Sequence, residues 1–360
     1  MEKTKILHCL NSISTGGAET FIMNLYRHVN TDKLQFDFMV RRKTENKYTK
    51  EIEALGGIIY VMPEFPRRFL KNQSAVKRFF RENNDYKVIH VHANSLLYIY
   101  PLYAAKKRHI NVRIIHSHNT MSANKFYRPI HCLNKIFLNS FATDMWACSA
   151  KAGKWMFGER NFKVINNSID ALLYRFDEVI RERVRSDLDI NDKLVLGNIG
   201  RFELQKNHKF LVEIFKDYYN KDKNSVLLLI GEGSLKDEIE NDVEKAGIKE
   251  AVLFLGVRND IPDLLKAMDY FLMPSFYEGL PFALIEAEAA GCKCIIADNI
   301  TDEVVITENV ARLPINEGTN CWLKEIDSTS KWQRDTYKEI CDNGFDIISI
   351  SKEISGYYLK

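Results

Sequence analysis

Short apolar runs of three to six residues alternate along the whole chain with longer stretches whose apolar positions recur every three or four residues. The short runs suit strands buried on both faces, and the longer stretches suit helices laid over them. In the first half the pattern predicts strands at Ile6–Leu10, Gln35–Val40, Ile58–Val61, Val88–His92, Arg113–His116, Met145–Cys148 and Lys163–Ile165. Helices fall between them, including Glu19–His28, Ser74–Glu82, Leu96–Arg108 and Pro129–Phe141. Asn166-Asn167-Ser168-Ile169-Asp170 and the charged segment to Asp192 break the pattern and read as a connection. It then restarts, with strands expected at Leu194–Ile199, Val226–Ile230, Val252–Leu255, Tyr270–Met273 and Cys294–Ala297. Such alternation predicts parallel α/β layers, built twice: a domain over 1–175 and another over 190–345. Residues 346–360 again carry apolar positions at helical spacing.

Length agrees with two domains, since 360 residues exceed one ordinary core. The 46% apolar and 28% charged content is that of a soluble globular enzyme. Ile6–Leu10, behind Lys3 and Lys5, is too short for a signal-peptide core, and no run approaches the ~18 apolar residues of a membrane span. Seven cysteines without a Cys-x-x-Cys pair fit a reduced, cytoplasmic protein.

Charge changes the picture. Residues 1–170 hold 27 Lys and Arg against 13 Asp and Glu, a net +14, whereas the other 190 hold 24 against 35, a net −11. Arg41-Arg42-Lys43, Arg67-Arg68, Lys71, Lys77-Arg78, Arg81 and Lys106-Lys107-Arg108 supply much of the excess, with Phe65, Phe69, Leu70, Phe79 and Phe80 among them. An anionic surface or substrate is expected for this half. No nucleic-acid motif is visible, so nucleic acid is not the expected partner. An anionic membrane leaflet, met peripherally from the inner side, fits the charge. A solvated helix face is the plain alternative.

The most informative run is Glu278-Gly279-Leu280-Pro281-Phe282-Ala283-Leu284-Ile285-Glu286, after the strand-like Tyr270–Met273. Pro281 suits a first helical position, because its fixed φ and missing N–H are tolerated there. The N–H groups of Gly279 to Ala283 then point outward as a phosphate site. Glu278 stands at the mouth and Glu286 more than a turn into the helix, suiting hydroxyls at two ends of one ligand. Capping by Glu278 and solvation of Glu286 would explain the two residues taken alone.

A second run, Gly200-Arg201-Phe202-Glu203-Leu204-Gln205-Lys206-Asn207-His208, follows the strand at 194–199. Its Arg gives a bidentate fork and its Lys a point charge for one anion. Thr15-Gly16-Gly17-Ala18-Glu19 turns the first strand into the first helix, and adjacent glycines permit positive φ and close approach. His116-Ser117-His118-Asn119 and His90-Val91-His92-Ala93-Asn94 end two neighbouring strands, where ligands gather in open α/β sheets. His90 and His92 suggest a metal, but no third ligand is evident. Gly231-Glu232-Gly233 starts a dinucleotide fingerprint that Lys236 ends, so a nicotinamide cofactor is not expected.

Taken together these runs resemble the retaining glycosyltransferases of family 4, with the GT-B fold of two Rossmann-like domains facing a cleft, and particularly those of bacterial capsule, exopolysaccharide and O-antigen assembly. The resemblance implies transfer of a hexose or N-acetylhexosamine from a nucleotide sugar, such as a UDP-sugar, to an acceptor hydroxyl of a lipid-linked saccharide. It implies no metal and no other cofactor. By the same resemblance Glu278 lies near the donor sugar and Glu286 on the ribose. Arg201 and Lys206 grip the diphosphate, Gly279, Leu280, Pro281 and Phe282 form the helix start that binds the donor, and Val257 sits at the base. Gly16 and Gly17 face the donor phosphate. His118, preferred to His116, contacts the donor sugar, and His92, Asn94, His116 and Asn119 fall on the acceptor side. The closing helix would return to the N-terminal domain. Asp187-Leu188-Asp189 mimics the Asp-x-Asp motif of the other large glycosyltransferase fold but lies in a charged helical stretch before a strand. Two rivals remain: a nucleotide-sugar epimerase on the same fold, and a non-catalytic binding protein, which would be expected to lack Glu278, Arg201 or Lys206.

Overall fold

A computed structural model of the chain describes residues 3–14, 16–119, 127–328 and 332–360. Its contacts divide the chain into two units, Met1–Ser168 with Ile347–Lys360, and Ile169–Asp346.

The first unit is a parallel sheet of seven strands: β1 Thr4–Cys9, β2 Leu34–Val40, β3 Ile59–Val61, β4 Tyr86–Ala93, β5 Val112–Ser117, β6 Asp144–Ala147 and β7 Lys163–Val164. Their order is β3-β2-β1-β4-β5-β6-β7. The chain builds outward from β1 to β3, then returns to lay β4 on the other edge of β1. That reversal opens a crevice beyond the carboxyl ends of β1 and β4. The helix Gly17–His28 buries Phe21, Ile22, Leu25 and Tyr26. The helix Ile347–Tyr358 packs beside it within the same unit.

The second unit holds β8 Leu194–Ile199, β9 Ser225–Ile230, β10 Val252–Gly256, β11 Tyr270–Met273, β12 Lys293–Ala297 and β13 Val310–Leu313, in the order β10-β9-β8-β11-β12-β13. Alternation along these strands feeds two cores. Val226, Leu228, Phe271, Met273, Cys294 and Ile296 face one. Leu227, Leu229, Tyr270, Leu272 and Ile295 face the other, closed by Trp322.

Four expectations are corrected. The first concerns the segment 166–192, which is not a loose connection. Ile169 bridges to Asp346, and the helix Glu178–Asp187 belongs to the second unit, so the boundary falls at Ser168 rather than 175. The physical reason is Asp269. Its carboxylate takes Arg181 at 2.6 Å, Arg185 at 2.6 Å, Arg334 at 2.8 Å and the Val195 N–H at 2.9 Å. Burial disfavours the Asp269 charge, but Arg181, the Val195 N–H and Arg185 outweigh it and hold the carboxyl below its usual range. Second, β13 escaped the pattern because this edge strand is only half buried. Third, Phe79 and Phe80 are buried beneath the helix Phe69–Glu82, leaving Phe69 and Leu70 as the exposed apolar neighbours of its basic residues. Fourth, Pro281 is the residue before the helix Phe282–Ala289, with extended ψ, rather than its first turn.

Candidate active site

In the second unit, the loop after β8 and the loop after β11 meet. Gly231, at φ 139°, lies so close to this crossing that a Cβ would stand 2.0 Å from the Gly200 carbonyl oxygen. A Cβ on Gly233 would stand 2.5 Å from the Phe202 backbone. The Gly-x-Gly therefore serves close packing: it presses the β9 loop onto the β8 loop and fixes Arg201 at the turn. The Arg201 side chain is exposed and makes no ion pair among the described residues. Six residues on, Asn207 takes a left-handed conformation at φ 54° and donates through Nδ2 to the Pro274 carbonyl at 3.0 Å, tying the two loops together.

That tie brings Lys206 Nζ to 2.7 Å from Glu278 Oε1, with both side chains largely buried. Gln205, which sequence reading passed over, donates to the Tyr277 carbonyl at 2.9 Å and to Glu278 Oε2 at 3.3 Å. Glu278 is thus held at both oxygens from the loop that carries Arg201. The N–H groups of Gly279, Leu280, Phe282 and Ala283 make no hydrogen bond among the described residues, whereas the Leu284 N–H turns back to Pro281 at 3.2 Å. Leu280 and Phe282 pack their side chains toward apolar cores. No protein atom lies within 4 Å of where a Gly279 Cβ would be, so the fold itself does not require glycine there. Unpaired N–H groups, one fixed carboxylate and Lys206 meet here, with Arg201 on the same loop as Lys206, an arrangement suited to a phosphate bearing a hydroxylated group.

Glu286 accepts from the Tyr174 hydroxyl at 2.9 Å. Tyr174 comes from the short helix after Asp170, in the stretch read as connection. Val257 is well exposed beyond β10, beside Gly256 at φ 62°.

In the first unit, His8, His90 and His92 project from adjacent strands, in register His8 with His90 and His92 with His116. His118 follows β5. Their rings make a connected set: His8 Nδ1 to His92 Nε2 at 2.9 Å, His92 Nδ1 to His118 Nε2 at 2.8 Å, and His90 Nε2 to His116 Nδ1 at 3.2 Å. Tyr358, from the closing helix, meets His90 Nδ1 at 2.6 Å. Burial drives all five well below the usual histidine range, His8 and His118 to about 3. The rings are therefore neutral.

The third nitrogen missing from the sequence is here. His8, His90 and His92 bring ring nitrogens within 4.8 Å of one another, as do His92, His116 and His118. Position 8 is 84 residues from 92 and meets it only because β1 lies beside β4. Two nitrogens on one tetrahedral zinc stand about 3.3 Å apart, from bonds of about 2.0–2.1 Å. At 2.8–2.9 Å, the His8–His92 and His92–His118 pairs are direct hydrogen bonds.

His116 has no exposure, while His118 is half buried. His92 and Asn94 line a cavity of about 300 Å³ with Asn11, Glu19, Arg41 and Tyr98; His116 and Asn119 do not line it. Gly16 sits before the first helix at φ −80°, and Gly17 opens it. The expected positive φ is therefore absent from this pair. Gly16 instead leaves room for a carboxylate, since its Cβ would stand 2.8 Å from Glu19 Oε2. Thr15 of that loop lies outside the described residues.

Residues 15–171 match the family described as Glycosyltransferase Family 4, and residues 180–325 match Glycosyl transferases group 1. The chain is 34% identical over 336 residues to EpsF of Bacillus subtilis (strain 168), named as a glycosyltransferase, covering 89% of this chain and 86% of that one. It is 34% identical over 121 residues to the UDP-Gal:alpha-D-GlcNAc-diphosphoundecaprenol alpha-1,3-galactosyltransferase of Escherichia coli, 33% of this chain and 31% of that one. Among solved structures, Anabaena Alr3699/HepE in complex with UDP and glucose aligns with a TM-score of 0.75 at 20% identity, over 98% of this chain and 99% of that chain. The two parallel sheets and this likeness are those of the GT-B fold.

Proposed function

The chain belongs to the family 4 glycosyltransferases, and on that premise we propose that it moves a sugar from a nucleotide sugar to a hydroxyl of a lipid-linked saccharide, with retention at the anomeric carbon. The observation that carries the reading is the pairing of Lys206, on the loop that also carries Arg201, with Glu278 at the start of the segment whose N–H groups are open. Negative charge grows on the departing diphosphate as the glycosidic bond breaks. Fixed donors and cations already aimed at it lower the barrier without reorganising. Arg201, Lys206 and the N–H groups meet that charge, and Lys206 also pairs with Glu278, which is assigned to the donor sugar. Glu286, steadied by Tyr174, is assigned to the ribose. Because these cations are in place, the reading includes no metal in the transfer step. His118 is assigned to the donor sugar. The partial relative from Escherichia coli, whose name gives a UDP-sugar and a diphosphoundecaprenol-linked acceptor, supports the donor and acceptor classes.

Glu286→Ala is expected to weaken binding of a nucleoside diphosphate about tenfold with kcat little changed, whereas Glu278→Ala lowers kcat. The ribose contact acts equally in ground and transition states, and the sugar contact does not. Calorimetry with UDP, beside turnover of a donor panel, separates them; equal losses of affinity would show the roles wrongly divided. A donor converted to its epimer without acceptor would favour the epimerase.

We also propose that the first unit rests on an anionic membrane face. No described helix is long and apolar enough to cross a membrane. Arg67, Arg68, Lys71, Lys77 and Arg78 are exposed, next to Leu70 at 76% exposure. The helix Arg128–Phe141 exposes Ile130, Leu133, Ile136 and Phe137. Each basic side chain near an anionic surface contributes about 1 kcal/mol, screened by salt. Co-sedimentation with anionic liposomes at low salt is expected, and loss of it when these five residues become Glu. A wild type that ignores such liposomes points to a soluble acceptor.

A further inference from the structure

The cavity beyond β1 and β4 holds a cation that the proposed transfer does not use. Arg41 is the first residue after β2, fixed by its N–H to the Asn11 carbonyl at 2.9 Å. Its neighbour Arg42 is paired with Glu64 at 2.7 Å. Arg41 itself has no ion pair and no side-chain hydrogen bond among the described residues, and its Nε is buried without a partner. The guanidinium lies 4.4 Å from the Tyr98 ring centre and 5.9 Å from that of Phe65. Tyr98 cannot swing away: its hydroxyl donates to Asn72 at 2.9 Å, and fully buried Asn72 donates to the Pro63 carbonyl at 2.7 Å. Burial, with Arg42 adding to it, holds Arg41 below the usual guanidinium range.

A permanent charge in so sheltered a place is unfavourable without a counter-charge. The aromatic rings flank it, and Arg41 lines the cavity. Across the cavity, Glu19 is fixed by the Ser14 hydroxyl at 2.8 Å, and Asn11, Asn94 and His92 complete the polar wall. The site lies at the reversal of strand order, where open α/β sheets bind ligands.

We propose that this cavity takes a sugar bearing an anionic group, a phosphate or a carboxylate, with the anion on the Arg41 fork and sugar hydroxyls on Glu19 and Asn94. That the sugar is the acceptor rests on the transfer reaction proposed above; that the cavity binds it does not. The planar guanidinium matches the paired oxygens of either anion.

The test uses the full chain carrying Arg201→Ala and Lys206→Ala, which takes both cations from the other anion site. Glucose 1-phosphate, glucuronate, inorganic diphosphate and glucose are titrated calorimetrically. At least one sugar anion is expected to bind saturably, and at least tenfold more weakly once Arg41→Gln is added. Binding of glucose 1-phosphate alone assigns a phosphate, and of glucuronate alone a carboxylate. Arg41→Lys, which keeps the charge without the fork, is expected to fall between, and carries the comparison if Arg41→Gln does not melt cooperatively. Three results overturn the proposal: no saturable binding of either sugar anion, affinity unmoved by both Arg41 changes, or glucose binding as tightly as the anions. None of these depends on turnover, so a chain that fails to transfer sugar leaves the result readable.

Discussion

Arg201→Ala is expected to lower transfer at least ~100-fold with no change in melting temperature, and Lys206→Ala to lower it as much with some loss of stability. The rate effect follows from removing a positive contact to the departing diphosphate, worth about 2.7–4 kcal/mol by analogy with loss of an oxyanion-hole donor. The stability difference follows from surroundings. Arg201 is exposed without an ion pair, so nothing in the fold loses a partner. Lys206 neutralises a Glu278 side chain that is only 7% exposed, and its removal strands that carboxylate. Lys206→Ala with Glu278→Gln is therefore expected to regain stability but not rate. Release of nucleoside diphosphate is the assay, with thermal melting beside it; near-normal turnover in both single variants removes these residues from the donor site.

Asp269→Ala is expected to destabilise the second unit by about 3–5 kcal/mol, the range for breaking a buried ion cluster by deleting one partner. Three guanidinium groups converge on this carboxylate, and Arg181 and Arg185 also donate to the carbonyls of Lys266, Ala267, Met268, Asn191 and Lys193. Those carbonyl bonds remain when Asp269 goes, but the counter-charge does not. The folded-state pKa of Asp269 is depressed, so its contribution is fully present above the unfolded carboxyl range and is lost as pH falls through the folded value. The gap between wild type and variant should thus be complete at neutral pH and close below about pH 4. Urea titration at pH 7 and pH 3 measures it. A variant as stable as the wild type at pH 7 would mean the arginines find water or other acceptors without cost.

Most of the strands were readable because both sheets are parallel and buried on two faces, so the apolar runs stand out from their flanks. Strand β13 did not stand out, since an edge strand with Arg312 exposed in its middle lacks that contrast. Sites built from adjacent residues were legible for the same local reason. Gly200 to Lys206 and Glu278 to Glu286 are each one loop and one helix start, and local geometry follows from local sequence. What escaped was pairing across the chain. Nothing near Glu278 announces that Lys206 and Gln205 will hold its two oxygens, and nothing near Glu286 announces Tyr174. The charged stretch 178–187 reads as a connection because the partner of Arg181 and Arg185, Asp269, lies more than eighty positions away. In the sequence Arg41 is one basic residue among many, and only the aromatic shell and the lack of a pairing carboxylate among the described residues set it apart.

The row of imidazoles in the first unit has a consequence of another kind. A neutral ring carries one proton on its two nitrogens, so in a line of such rings the protons must all point the same way. Along His8, His92 and His118 there are then only two orderings. In one, His118 presents a bare Nδ1 to its surroundings; in the other, it presents an N–H. Which tautomer faces outward is therefore decided jointly with His8, at the far end of the line. A substitution at position 8 would release that constraint and uncouple the tautomer of His118 from the far end of the line.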